Sequence, residues 1–331
     1  MATYVATTVG LFPLPDPTKR ALSRLKGHQK GDLVDGHESD AVTATYAEAR
    51  AEVIATQVEA GLDRVVEGQL RWDDMLAHPL AVNDAVETHG LVRYYDNNNF
   101  YRDPVVVDSL APTGDVAAEL SAAADVAEPP LQAVLPGPYT LGALARDASY
   151  GDAAEFLAAI GRLLAGEVER FPDLEHLVLL EPSLVTDPPS ADDQPAVGAA
   201  IDAVAGAFPG DVAVHTYWGA PDERTHATLL DAAIEAIGYD LVTAPAAAAE
   251  LVAEQGTLDD VVLGVVDGQN TLVETTAAVR ERVDRFESAL PAGGPDTVCL
   301  SPNTELFYLP VATFEAKLGV LGEAVAPGVI A

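Results

Sequence analysis

The stretch that decides the fold is "VVLGVVDG", residues 261–268. Its first six residues are apolar or glycine, and the run then ends at Asp267. An apolar run without alternation is typical of a parallel strand covered by helices on both faces, whereas a strand with one wet face alternates. The stretch therefore predicts a buried strand with a polar residue at its carboxyl end.

Seven other runs share this character, and together they predict strands at 4–10, 63–69, 131–137, 176–182, 212–218, 240–245, 261–268 and 297–303. Segments with helical spacing lie between them, such as 41–61, 227–238 and 311–325. Eight strands alternating with helices predict an α/β fold, a (β/α)8 TIM barrel forming a single domain over residues 1–331. An open doubly wound sheet is the alternative, disfavoured because no Gly-x-Gly-x-x-Gly turn follows a strand.

Residues 70–130 interrupt the alternation between the second and third predicted strands. They are long for one crossover, and they contain "YYDNNNFYRDP" at 94–104. Long excursions of this kind are usually functional or disordered, and the aromatic residues argue against disorder. We therefore predict a functional insertion at about 70–130 of this chain.

The charge balance is strongly acidic, with 18 Lys and Arg against 52 Asp and Glu and a net charge of −34. The acids are spread over the whole length, which indicates a folded surface saturated with carboxylates. Their repulsion is screened in molar salt, where the Debye length is about 3 Å, so we expect the salt-rich cytosol of a halophile. With no basic stripe to neutralise phosphates, a nucleic-acid partner is not expected.

Other features bound the location and the redox chemistry. No apolar run reaches the length of about 18 residues that a membrane span needs, and the first residues show no signal-peptide pattern. We expect a cytoplasmic protein without a membrane partner. The one cysteine, Cys299, excludes an internal disulfide, and its apolar surroundings predict a buried thiol.

Polar residues recur at the ends of the predicted strands, where the chemistry of a (β/α)8 barrel is found. Any one of them could be an ordinary turn residue, as Asp267 before Gly268 shows. Their recurrence indicates a binding site at this end of the barrel. They are Glu67, Gln69, Glu181, His215, Tyr217, Trp218, Asp267, Gln269, Asn270, Ser301, Asn303 and Glu305.

A zinc site requires three or four converging ligands. His215 has Tyr217 rather than a cysteine two residues later, and Cys299 lies inside a predicted strand. A mixed site of His215, Glu181 and Glu67 stays open as an alternative, although no spacing signature supports it. A serine hydrolase is disfavoured because the chain has no Gly-x-Ser-x-Gly elbow.

Several motifs together resemble the cobalamin-independent methionine synthase family. They are "RYYDNNNFYRDP" (93–104), "PGPYT" (136–140), "TYWG" (216–219), "VVDGQN" (265–270) and "SPNTELFYLP" (301–310). That family transfers a methyl group from 5-methyltetrahydrofolate polyglutamate to homocysteine, and its full-length members contain two (β/α)8 barrels. The motifs match the N-terminal barrel better, because the zinc-binding His-x-Cys of the C-terminal barrel corresponds here to His215-Thr216-Tyr217. Thr304 or Glu305 stands where the second cysteine belongs.

The resemblance implies a methyltransferase of methionine biosynthesis in which this chain binds the folate methyl donor. No catalytic residue is assigned. Lys19, in the segment "DPTK", matches a family segment that contacts the polyglutamyl tail, although Asp16 replaces an arginine there; Arg20 lies beside it, and Arg93 replaces a family lysine. The implied substrate-binding residues are Lys19, Arg20, Arg93, Asp96, Asn98, Glu181, His215, Tyr217, Trp218, Asp267, Asn270 and Asn303.

The broken zinc set implies that this chain binds no metal or cofactor and that zinc belongs to a separate partner barrel. 5-Methyltetrahydrofolate and homocysteine would be the small-molecule substrates. Three alternatives stay open: a self-sufficient zinc methyltransferase, a corrinoid-dependent methyltransferase of the same superfamily, and a non-catalytic regulatory barrel. Three consecutive asparagines in "YYDNNNFY" argue against a bare scaffold, because packing alone does not require them.

The charge distribution leads to a prediction about salt. We expect the midpoint of thermal unfolding to be higher in about 2 M KCl than in about 0.1 M KCl, because the higher salt screens the repulsion between surface carboxylates. Circular dichroism at both salt concentrations measures the two midpoints. Equal midpoints would contradict the halophilic interpretation, and sucrose at matched osmolality is the control for general cosolvent effects.

Overall fold

The computed structural model describes residues 2–23, 38–72, 76–92, 101–291 and 294–326, and its centre is a curled sheet of seven parallel strands. The sheet order is β1-β10-β9-β8-β7-β6-β4, and β2, β3 and β5 form a second, three-stranded sheet. The strands are β1 (Thr3–Ala6), β2 (Val86–Val92), β3 (Tyr101–Val106), β4 (Gln132–Pro136), β5 (Arg146–Asp147), β6 (His176–Leu180), β7 (Asp211–His215), β8 (Ala236–Asp240), β9 (Asp260–Val266) and β10 (Thr297–Pro302).

One short segment lies between the two edges of the seven-stranded sheet. Val65 forms a parallel bridge with Leu131, beside the start of β4, and its N–H donates to the Pro130 carbonyl at 3.0 Å. On the other side, the Asp63 N–H donates to the carbonyl of Ala6, the last residue of β1, at 3.0 Å. Both edges of the sheet therefore bond to the same segment, and the architecture is consistent with a TIM-like barrel.

Helices follow or precede most strands, and several begin at a side-chain cap. Asp152, Asp222 and Thr275 each accept a backbone N–H three residues later, which satisfies a donor that a helix N-terminus leaves open. The helices are Asp16–Leu22, Asp40–Glu59, His78–Ala81, Asp115–Ala124, Pro138–Leu144, Ala153–Val168, Ser183–Thr186, Gln194–Ala205, Glu223–Asp231, Pro245–Gln255, Thr276–Glu287 and Val311–Val325.

The core follows from the apolar runs of the sequence. Every residue of β4 and β8 is buried, and so is every residue of β9 after the first. Burial of consecutive residues means that both faces of these strands are covered, as the unalternating pattern predicts. Cys299 lies in β10 and is buried, so the predicted buried thiol is confirmed. Burial raises the pKa of this thiol to about 11.

Residues 70–130 hold the helices His78–Ala81 and Asp115–Ala124 and the strands β2 and β3. β2 pairs antiparallel with β3, and β3 pairs with the two-residue β5. In the described part of the chain these strands form their own sheet and do not pair with the seven-stranded one.

Two sequence-based strands need correction. The sixth strand was predicted at 240–245, but β8 covers Ala236–Asp240 and the preceding helix ends at Asp231 rather than at 238. The strand stops there because the Asp240 carboxylate accepts the N–H groups of Val242 and Thr243, which turns the chain. The second predicted strand, 63–69, forms only the bridge at Val65.

An ion network lies next to residues 63–69, the segment that forms only the bridge at Val65. Arg71, two residues beyond Gln69, pairs with Glu38 at 2.5 Å and with Glu119 at 2.8 Å. Arg50 in the helix Asp40–Glu59 pairs with the same Glu119 carboxylate. All four side chains are 14% exposed or less. This Arg71 network joins two helices to a segment that has little sheet pairing of its own.

In the residues that the structure describes, no helix combines the length and the apolar character needed to cross a membrane.

The Arg71 network leads to a stability prediction. Glu119→Gln removes a carboxylate shared by two guanidinium groups and leaves their charges poorly compensated, so we expect the free energy of unfolding to fall by about 3 kcal/mol. Urea denaturation at constant high salt measures it. Asp125→Asn, at an exposed acid that follows the same helix, is the matched control and is expected to change stability by less than about 0.5 kcal/mol. Equal effects of the two substitutions would contradict the role of the network.

Candidate functional site

Two hydrogen bonds cross the barrel mouth, by which we mean the end of the sheet where the strands have their carboxyl ends. The His215 ring bonds through Nε2 to the Asn303 carbonyl at 2.9 Å, and the Tyr217 hydroxyl donates to Glu305 Oε1 at 2.6 Å. His215 ends β7 and Asn303 follows β10, and two other strands separate these in the sheet order. The bonds therefore span the interior, and we call them the cross-barrel pairs.

The surroundings of His215 fix its protonation. A carbonyl can only accept, so Nε2 carries the proton of this bond. The side chain is fully buried, and burial lowers its pKa, so the imidazole is neutral near pH 7. Its Nδ1 has no hydrogen-bond partner among the described residues. Nδ1 packs against Gly238 of β8, where an added Cβ would come within 2.1 Å of it, so only glycine fits there.

Asp240 organises the polar groups beside the cross-barrel pairs. At the end of β8, it accepts the Trp218 N–H at 2.9 Å and the Asn303 side-chain amide at 3.1 Å. The Asn303 Oδ1 in turn accepts the Gly268 N–H at 3.0 Å. Asp240 therefore connects the ends of β7, β8, β9 and β10. Our sequence analysis missed it, because the strand that ends in Asp240 was placed four residues too late.

Glu181 follows β6 and lies at the start of the helix Pro138–Leu144. It accepts the Tyr139 N–H at 2.9 Å and the Thr140 N–H at 2.7 Å. Gly137 makes room for this carboxyl, since a Cβ at that position would come within 2.2 Å of it. Burial raises the pKa of Glu181 to about 7 and outweighs these hydrogen bonds, which lower it.

Two further carboxyl groups of the mouth share this property. Burial raises the pKa of Glu305 to about 7 and that of Glu67 to about 8. Glu67 accepts the N–H of Gln69 at 2.7 Å, and the Gln69 side chain bonds the Leu11 N–H at 2.7 Å and the Val134 carbonyl at 2.9 Å. The mouth thus contains carboxyl groups that are partly or mostly protonated near neutral pH.

The residues Asp267–Asn270 form a turn after β9, which we call the rim turn. The Asp267 carboxylate accepts the N–H groups of Gln269 at 2.9 Å and Asn270 at 3.1 Å. Asn270 then accepts the Leu272 N–H at 2.9 Å. Gln269 and Asn270 are both exposed to solvent.

Backbone strain is found at the same end of the barrel. In the described ranges, the non-glycine residues with a left-handed backbone are Leu11, Gln69 and Trp218, with φ of 42°, 51° and 66°. Leu11 lies beyond the carboxyl end of β1, Gln69 lies beyond the Val65 segment, and Trp218 lies beyond the carboxyl end of β7. Strained residues of this kind tend to occur at functional sites, where the surrounding contacts hold them.

The predicted binding residues fall into three groups. Glu181, His215, Tyr217, Trp218, Asp267, Asn270 and Asn303 lie at the barrel mouth or on its rim turn. Lys19 and Arg20 lie on the exposed helix Asp16–Leu22 after β1, and Lys19 pairs with Asp16 of the same helix at 3.7 Å. Arg93, Asp96 and Asn98 lie outside the described residues. Glu305 was noticed in the sequence but not selected, because nothing local indicates its bond to Tyr217.

The donor groups do not fit a zinc ion. The described residues contain no group of three or more His, Cys, Asp or Glu placed to hold a metal, so the trio His215, Glu181 and Glu67 is not assembled into a site. His215 Nε2 bonds to a carbonyl, and Tyr217 bonds to Glu305.

Comparisons with known proteins agree with this fold. Residues 83–291 match the family model described as cobalamin-independent synthase, N-terminal domain. A comparison with curated protein sequences gave no match. The match covers more than half of the chain, which therefore belongs to the cobalamin-independent methionine synthase family through the N-terminal domain of its members. This confirms the resemblance that the motifs indicated.

Solved structures share the fold. A B12-independent methionine synthase from Shewanella sp. W3-18-1, solved with selenomethionine, has a TM-score of 0.77 and 16% identity, covering 98% of this chain and 97% of that one. A putative vitamin-B12-independent methionine synthase from Listeria monocytogenes has a TM-score of 0.70 and 18% identity over 98% and 96%. A methyltransferase from Methanosarcina mazei has a TM-score of 0.62 and 11% identity over 98% and 95%. At these identities the similarity concerns the fold.

The raised pKa of Glu305 leads to a pH prediction. An unfolded glutamate titrates near about 4.3, so between that pH and about 7 the folded state binds more protons through Glu305 than the unfolded state does. Glu305 therefore lowers the free energy of unfolding as pH rises through this window. Glu305→Gln keeps the acceptor for Tyr217 and removes the titration. From pH 5 to 8, the free energy of unfolding of the variant should therefore fall by roughly 3 kcal/mol less than that of the parent.

Urea denaturation at several pH values checks this difference in slope. The exposed Glu254→Gln, on the helix Pro245–Gln255, is the control and should follow the parent. Parallel pH curves for the parent and Glu305→Gln would show that the buried carboxyl is not protonated in the folded state.

Proposed function

We propose that this chain is the methyl-donor-binding barrel of a cobalamin-independent methionine synthase, and that it works with a zinc-bearing barrel on a separate polypeptide. Membership of the family supports the reaction class, the transfer of a methyl group from 5-methyltetrahydrofolate to homocysteine. The polar groups gathered at the barrel mouth support a small-molecule site there.

The observation that carries the proposal is the pair of cross-barrel bonds. They engage His215 and Tyr217, the residues that stand where the resemblance would put zinc ligands, with Asn303 and Glu305. These engaged residues do not fit a metal, so zinc on this chain has no part in the proposed reaction. Activation of the homocysteine thiol is assigned to the partner barrel, where a metal ion would lower the thiol pKa.

The residues of this chain would bind and orient the donor. Glu181 and Glu305 are fully buried and already bonded to Tyr139, Thr140 and Tyr217, so they would support the walls of the donor site from beneath. The exposed amides of the rim turn add further donors and acceptors. Lys19 and Arg20 would attract the carboxylates of a polyglutamyl tail to a surface that is otherwise acidic.

We also propose a role for residues 70–130, a cellular location and a second ligand. The stretch 70–130 would serve as a functional insertion, and Arg93, Asp96 and Asn98 within it stay predicted donor-binding residues. The protein would work in a salt-rich cytoplasm, as its net charge of −34 suggests. Because the Shewanella structure contains selenomethionine, methionine is a second ligand to test on this chain.

Donor binding tests the proposal. We expect the purified chain in about 2 M KCl to bind 5-methyltetrahydrofolate triglutamate without stoichiometric zinc. The double variant Lys19→Gln/Arg20→Gln should weaken the triglutamate about tenfold and leave the monoglutamate unchanged, because only the tail reaches these side chains. Isothermal titration calorimetry measures the affinities, and elemental analysis measures the zinc.

Arg162→Gln, on the exposed face of the helix Ala153–Val168, is the control for a general loss of positive charge. Stoichiometric zinc that His215→Ala removes would favour a self-sufficient enzyme instead. Turnover of methylcobalamin without folate affinity would favour a corrinoid donor. A chain that binds neither donor and recovers no homocysteine methylation with a zinc-bearing barrel would indicate a non-catalytic barrel.

A further inference from the structure

A buried lysine lies beneath the rim turn. Lys317, in the helix Val311–Val325, is one of four lysines in a chain of net charge −34, and its side chain is fully buried. Its Nζ donates to the Leu272 carbonyl at 2.7 Å and to Glu274 Oε2 at 2.7 Å. An ammonium group is very rarely buried unless it is paired, so these two contacts fix where it lies.

Both contacts belong to the loop between β9 and the helix Thr276–Glu287, and they lead directly to the rim turn. The second oxygen of Glu274, Oε1, accepts the backbone N–H of Asp267 at 2.8 Å. Asp267 is the residue whose carboxylate organises the turn. Arg282 Nη1 lies 3.9 Å from Glu274 Oε1 and donates to the Val265 carbonyl. A chain of polar contacts therefore runs from Lys317 through Glu274 to the first residue of the turn.

The loop has few apolar contacts that could replace this attachment. Leu272 is 73% exposed and contributes little apolar burial, and Val273, at 37% exposed, is only partly buried. The Gly268 N–H is held separately by Asn303, which fixes one point of the turn but not its continuation to Glu274. Besides the bonds within the turn and the Asn303 contact, the Lys317–Glu274 pair is therefore a main attachment of residues 267–274.

We infer that Lys317 is a positioning residue for ligand binding: it touches no ligand, and it holds the rim turn in the conformation that presents Asp267, Gln269 and Asn270 at the barrel mouth. The inference depends on the proposed function in one respect, which is that the ligand presented to the turn is the folate methyl donor. The anchoring itself can be measured without any ligand.

The experiment separates positioning from stability. In Lys317→Met we expect faster hydrogen exchange at the amides of Asp267, Gln269, Asn270 and Leu272, and about tenfold weaker binding of 5-methyltetrahydrofolate by calorimetry. In Lys317→Met/Glu274→Leu an apolar pair replaces the ion pair, so the unfolding midpoint should return toward that of the parent. The fast exchange and the weak binding should persist, because neither new side chain can bond to Leu272 or Asp267.

Arg285→Met is the matched control, since Arg285 is an exposed cation of the neighbouring helix that pairs only with Glu281 among the described residues. It should leave exchange and affinity unchanged. Recovery of donor affinity together with stability in the double variant would overturn the inference, as would unchanged exchange in both Lys317 variants. If the single variant does not fold, the double variant still decides. Fast exchange in a chain whose parent binds no folate would support the anchoring and reject the proposed function.

Discussion

Two hydrogen bonds between the ends of β7 and β10 set the geometry of the barrel mouth. The imidazole of His215 and the carboxyl of Glu305 are fully buried, and a buried polar group without a partner is costly. Each finds its partner across the mouth, where β7 and β10 are separated by two other strands, so the ends of these two strands are held at a fixed separation. Asn303 extends the arrangement to Asp240 and to the rim turn through its side-chain amide. On its outer side, Glu274 accepts the N–H of the first residue of that turn and is itself bonded to the buried Lys317.

The protein uses acidic residues in two different ways. Most of its 52 Asp and Glu residues are distributed over a chain of net charge −34, where solvent and salt screen them. At the mouth, burial instead raises the pKa of Glu67, Glu181 and Glu305 toward or above neutrality. The exterior therefore responds to ionic strength, and the interior responds to pH. The hydrogen bonds of these buried carboxyl groups persist in molar salt, because buried groups are screened much less than exposed ones.

The chain is a member of the cobalamin-independent methionine synthase family whose mouth is organised without a metal-ligand group in the described residues. Tyr217 and Glu305 bond to each other, and His215 bonds to a backbone carbonyl. This arrangement is compatible with our proposal that this barrel binds and orients a substrate and that another barrel carries out the thiol chemistry. The division of labour that we propose follows from which side chains are already engaged.

The sequence by itself determined the alternation of strands and helices, the burial of Cys299 and the gathering of polar residues at one end of the strands, since each of these leaves a local pattern. It did not determine the end of β8, because an apolar run continues past Asp240 and only the hydrogen bonds from Val242 and Thr243 stop the strand. The sequence could not show that Tyr217 contacts Glu305, 88 positions away, or that Lys317 contacts Glu274, 43 positions away. Contacts between residues so distant in sequence follow no period along the chain, so only the curvature of the sheet and the packing of the last helix decided them.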